Sequence, residues 1–192
     1  MLPPARELPA VTVRSQSVLD HVPIEAVRAF SLLALIVVAA LGMWRPLVRR
    51  TGWAPLPTLA LLAWTGLVLS LTLPETVASG AHVRLERCLA QPVSDIAWSL
   101  RIFGSRGLED VMNVALWAPC GFLAVRVARR PVAAPVAVAA GFVMVEFVQT
   151  LDPGRECDPG DMAYNSIGVT AGALAAAAFL RIRALVADRS AR

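Results

Sequence analysis

From Trp53 to Pro74 the chain carries no charged side chain. At ~1.5 Å of rise per residue, a helix of that length crosses a hydrocarbon core of ~30 Å. The stretch is not alone. Ala29–Trp44 is uncharged between Arg28 and Arg45, and Val111–Val125, Val132–Leu151 and Met162–Leu180 are apolar runs interrupted by one acid, Glu146. Inside lipid, each backbone N–H and C=O must be satisfied within its own segment or a closed barrel, so runs of this length predict helices. The expected fold is all-α, an integral membrane bundle of about five transmembrane helices. Composition agrees. Of 192 residues 57% are hydrophobic and 17% charged, with mean hydropathy +0.62, against ~25% charged in a soluble domain.

The charge pattern sets topology rather than a polyanion site. All 18 basic residues are Arg, in short clusters beside the apolar runs. A nucleic-acid surface would instead line one soluble face with basic residues and interleaved aromatics, so no nucleic-acid partner is expected. Met1–Val27 has no apolar h-region, which predicts an uncleaved first span rather than a removed signal peptide. With Arg45–Arg50, Arg126–Arg130 and the tail from Arg181 on one side, that side holds ten Arg and one acid, Asp188. The short basic loops place it in the cytoplasm. The expected organisation is an extracytoplasmic segment 1–28, two spans in 29–74, an extracytoplasmic loop 75–109, a three-span core 110–181 and a cytoplasmic tail 182–192. Arg6, Arg14 and Arg28 run against this orientation. Within the long loop, Val93–Phe103 fits either a helix lying on the membrane surface or an ordinary packed loop helix.

Some residues carry packing information. Pro119 lies inside the third span, where it removes a backbone donor, frees a carbonyl four residues back and kinks the helix. Gly168 and Gly172 are spaced for close helix approach, within the monomer by default. Cys120 beside Pro119 reads as a small apolar filler. Cys88 and Cys157 both fall in extracytoplasmic loops, where disulfides persist. A Cys88–Cys157 bridge is therefore expected, against two free thiols in an inverted topology.

Polar groups at span ends are costly and usually paired or functional. Asp110 and Asn113 enter span three. Glu146 and Gln149 close span four on one helical face. Arg155, Asp158, Asp161 and Asn165 lead into span five. Span three starts, span four ends and span five starts on the same side, so the three sets converge on one mouth. Three readings stand. The cluster is a lock, with Arg155 pairing to Glu146 or Asp161 and the amides capping or bridging helices. Or it binds an anionic envelope lipid or polymer through Arg155, Asn113, Gln149 and Asn165. Or it is catalytic, with Glu146 as base, or with Glu146, Asp158 and Asp161 around Mg²⁺ or Ca²⁺. No cofactor is expected, and neither His21 nor His82 falls in the cluster.

These residues also carry a resemblance. Asp110-x-x-Asn113 followed by Leu116-Trp117-Ala118-Pro119-Cys120-Gly121, then Glu146-x-x-Gln149, Arg155-x-x-Asp158-x-x-Asp161 and Asn165-x-x-Gly168, resemble the VanZ-like family in order and spacing over about Asp110–Gly172. Trp117 stands where that family more often has Phe. The resemblance implies a small multi-pass protein of a bacterial plasma membrane, linked in some members to tolerance of the glycopeptide teicoplanin, with no established reaction.

Overall fold

The structure is a computed structural model that describes residues 24–73, 80–90, 98, 101, 107–152 and 159–192; for 24–29, 81 and 159 it describes backbone only. Six helices organise these residues: α1 (Ile24–Thr51), α2 (Pro55–Thr72), α3 (Ala81–Leu89), α4 (Leu108–Ala128), α5 (Ala133–Gln149) and α6 (Pro159–Ser190). No strand occurs among the described residues. α1, α2, α4 and α6 are each long and apolar enough to cross a membrane, and α5 is a shorter apolar helix. The protein is a multi-pass helical membrane bundle.

Local chemistry sets the helix ends. α2 opens on Pro55, whose missing N–H would be unpaired at that position in any case. Glu109 and Asp110 occupy the first turn of α4, where carboxylates favour the positive end of the helix dipole. Arg129 ends α4 in the left-handed conformation at φ 56°, its N–H donating to the Val125 carbonyl at 2.9 Å. Thr150 closes α5, its hydroxyl donating to the Phe147 carbonyl at 2.7 Å. Two helices outrun their apolar stretches. α1 continues through Arg45, Pro46 and Arg49 to Thr51, and α6 continues through Arg181 and Arg183 to Ser190. The sequence expectation, drawn from uncharged cores, covers only their middles.

The packing is built on α4 and α6, which run parallel. Gly168 lies against the Val114 carbonyl, Gly172 against the Ala118 carbonyl, and Gly121 against the Val169 carbonyl. A Cβ at any of the three would overlap backbone of the opposite helix. The glycine pair thus serves packing within the chain, as its spacing suggests. α1 and α2 form an antiparallel pair on the other flank, and α2 packs on α4. The core gathers Val68, Trp117, Cys120, Phe142 and Val169, with Trp117 edge-on to Phe142 at a centroid separation of 5.5 Å. Trp117 is 5% exposed. Towards one end, Arg126 stacks over Phe179 at 4.4 Å, adding a cation–π tie between α4 and α6.

Trp64 in mid-α2 finds its partner on α4. Its indole N–H donates to the Leu116 carbonyl at 2.8 Å, one residue past Ala115, whose carbonyl Pro119 deprives of its helical donor. The neighbouring hydroxyls of Thr58, Ser70, Thr72 and Ser166 all donate to carbonyls three or four residues back in their own helices. Local back-bonding removes those polar groups from consideration. What is left are side chains that bond between helices.

Candidate functional site

The cross-helix polar groups collect at the end of the bundle where α2 finishes and α4 and α6 begin. Asn113, one turn into α4, donates through Nδ2 to Asp161 Oδ1 in the first turn of α6 at 2.7 Å. Asn165, one turn further along α6, donates through Nδ2 to Glu146 Oε1 of α5 at 3.3 Å. Gln149, one turn beyond Glu146, donates through Nε2 to the Thr72 carbonyl at the end of α2 at 2.7 Å. Asp110 is fully buried at the start of α4, and Glu146, Gln149 and Asn165 are 5%, 8% and 4% exposed. The described members of the three sets do come together: Asp110, Asn113, Glu146, Gln149, Asp161 and Asn165 form one polar layer on α4, α5 and α6, bonded to α2 through the Thr72 carbonyl, with Asn113 and Asp161 half-buried. Arg155 and Asp158 lie outside the described residues, as do Cys157 and its expected pairing with Cys88, and most of Val93–Phe103.

Each contact has a local cause. The (i, i+3) spacing of Glu146 and Gln149 and the (i, i+4) spacing of Asp161 and Asn165 put each pair on one helical face. The bonds between α4, α5, α6 and α2 then leave little water access, as buried polar groups in lipid require. Asn165 Oδ1 is enclosed and has no hydrogen-bond partner among the described residues. A buried acceptor in that state costs ~1–3 kcal/mol.

Other members of the site are not apparent in the sequence. α3 lies across this end, held by Arg84. Its Nε donates to the Thr150 carbonyl at 2.6 Å and its Nη2 to the Leu151 carbonyl at 3.0 Å. Guanidinium on the last carbonyls of α5 is the charge arrangement a helix C-terminus favours. Cys88, one turn after Arg84 on the same face of α3, is buried. The cue was present as an (i, i+4) Arg–Cys pair in a loop otherwise read as polar. Tyr164, the chain's only tyrosine, is 1% exposed beside Asn165, an apolar-bodied residue easily passed over inside a span.

Chemically the layer offers carboxylate and amide oxygens and amide N–H groups. Among the described residues no group of three His, Cys, Asp or Glu side chains is arranged to hold a metal ion; Asp158, a member of the expected metal set, lies outside them. Cys120 is a buried free thiol, within α4 and away from the layer, and His82 is exposed on α3.

No curated protein and no solved structure matches the chain. The family model described as VanZ/LLP1 matches residues 58–181. That match takes in α2, α4, α5 and α6 and the whole polar layer, well over half of the chain. The protein therefore belongs to the VanZ/LLP1 family.

Proposed function

We propose that this VanZ/LLP1-family protein is a membrane-embedded receptor for an anionic envelope lipid or polymer, admitted at the extracytoplasmic end of the bundle. The observation that carries this reading is the enclosed, unpartnered Asn165 Oδ1 in a layer of carboxylates and amides. It calls for a donor that the described residues do not supply. A polyol-phosphate headgroup or glycerol-phosphate polymer brings hydroxyl donors for that oxygen and a phosphate for Arg155, which stands in the segment leading into α6. The orientation follows the arginine distribution, which assigns the opposite end of the bundle to the cytoplasm. The Cys88–Cys157 bridge belongs to the same reading. Arg84 ties α3 to the Thr150 and Leu151 carbonyls at the end of α5, six residues of chain before Cys157, and a bridge would hold α3 over the layer. Glycopeptide tolerance is then the cellular consequence of engaging an envelope component.

The test is a thermal shift on the purified full chain with a glycerol-phosphate oligomer, and separately with phosphatidylglycerol. Ligand at ~100 times Kd adds ~2.7 kcal/mol to apparent stability. The wild type should be stabilised by one of the two, and Asn165→Leu and Arg155→Ala should lose the effect. No shift with either probe defeats the reading.

A second reading is favoured by the three interhelix bonds themselves: the layer only locks α2, α4, α5 and α6 together. On that account Asn165→Leu, which removes the bond to Glu146, lowers stability and, where the protein still folds, leaves teicoplanin susceptibility of expressing cells unchanged. A folded Asn165→Leu protein that has lost its effect on susceptibility excludes the lock.

A further inference from the structure

A second feature lies at the opposite end of the bundle. α5 presents a run of small residues, Ala133, Ala134, Ala137 and Gly141, towards α2, and the two helices barely meet. Between them and α4 is a groove of about 570 Å³, within the ~300–1,000 Å³ range of small-molecule sites. Its wall is almost entirely apolar, formed by Leu61, Ala124, Val138 and Gly141 among others. The Thr65 and Cys120 side chains also line the wall. Trp53 and Arg130 also line the groove, at one end. Trp53 lies in the α1–α2 turn and Arg130 in the α4–α5 turn, so both turns meet at that mouth.

The mouth has one sign of charge. Residues 45–54 and 126–135 contain six arginines and no acid. Arg129 and Arg130 are both exposed. Arg129 holds φ 56°, a conformation that burdens any L-residue with a Cβ and that glycine adopts freely. A lipid-facing slot with a dry wall gains dispersion contacts only when an apolar chain fills it. An indole and a guanidinium at its rim match the boundary between acyl chain and headgroup.

We infer that this groove seats one acyl chain of an anionic glycerophospholipid from the leaflet at the arginine end, with the lipid phosphate held by Arg130 and the neighbouring Arg129. This site is separate from the polar layer, and its occupancy does not depend on the function proposed for that layer.

The test is native mass spectrometry of the detergent-purified full chain, titrated with phosphatidylglycerol or with phosphatidylcholine of the same chains. Two variants separate chain from headgroup. Gly141→Leu fills the groove, and a Cβ there meets nothing within 4 Å, so the fold is kept; thermal melting checks this. Arg130→Gln removes charge from an exposed turn. Wild type should retain one phosphatidylglycerol with roughly tenfold preference over phosphatidylcholine, a difference of ~1.4 kcal/mol. Arg130→Gln should reduce that preference to less than threefold, and folded Gly141→Leu should lose the retained lipid whatever its headgroup. Equal retention of both lipids by wild type would mean an annular lipid only and overturn the proposal, as would a folded Gly141→Leu that binds like wild type.

Discussion

Replacing Gly172 with alanine tests the parallel α4–α6 contact directly. In α6 the added methyl would meet the Ala118 carbonyl oxygen and carbon and the Phe122 nitrogen, all backbone atoms of α4. None can rotate aside, so the helices must part. Overpacking of this kind costs ~1–3 kcal/mol, and a backbone neighbour puts Gly172 near the top of that range. Alanine returns ~1 kcal/mol through its better helix propensity. The expected net loss is ~2 kcal/mol, or a Tm drop of ~4–8 °C for a chain of this size. Gly141→Ala is the control, since its Cβ meets nothing within 4 Å. It should gain stability, by up to ~1 kcal/mol. The assay is thermal unfolding in a mild detergent, with both variants and wild type side by side. Gly121→Ala combined with Gly172→Ala should cost less than the sum of the two, because one separation of the backbones relieves both clashes. If Gly172→Ala melts with Gly141→Ala, the close approach does not exist.

Three further outcomes follow from the same geometry. Trp64→Phe should lose ~0.6–1.7 kcal/mol in thermal unfolding, the worth of one interhelix hydrogen bond in a membrane bundle; a loss near zero would mean that the indole bond to Leu116 adds nothing to the bundle. Arg84→Ala removes two charged hydrogen bonds, each worth ~1.5–3 kcal/mol, so amide exchange across residues 80–90 should accelerate roughly tenfold or more while α4 and α6 stay protected. Unchanged exchange would mean that α3 is held by other contacts. Arg129→Gly relieves the left-handed strain, worth ~1–2 kcal/mol, and should raise Tm by ~2–8 °C. A Tm at or below that of wild type would show that the guanidinium contributes more than the backbone loses.

The convergence of Asp110, Asn113, Glu146, Gln149, Asp161 and Asn165 is legible in the sequence because alternation of spans is enough to bring three helix ends together. Their bonding partners are not, since which amide meets which carboxylate depends on helix rotation, and one residue of rotation changes the neighbour. The lengths of α1 and α6 are under-read for a different reason. Charge ends a hydrophobic run, but Arg and Leu are good helix formers, so the backbone continues past Arg45 and Arg181. Trp64 looks misplaced as an interfacial indole until the Leu116 carbonyl of α4 supplies its acceptor. Arg84 and the α2–α4–α5 groove leave almost no trace in the residue pattern. The first depends on where a loop helix lands, and the second on the shapes of three surfaces together.

The Trp64–Leu116 bond also bears on how the protein is made. An α2 entering lipid alone would expose the Trp64 indole N–H to hydrocarbon, with no water to pair it. Its acceptor sits in α4, which follows α2 in the chain. Synthesis from the N-terminus therefore inserts the donor before the carbonyl that pairs it, and the nascent α1–α2 hairpin stays one bond short until the third span arrives to close it.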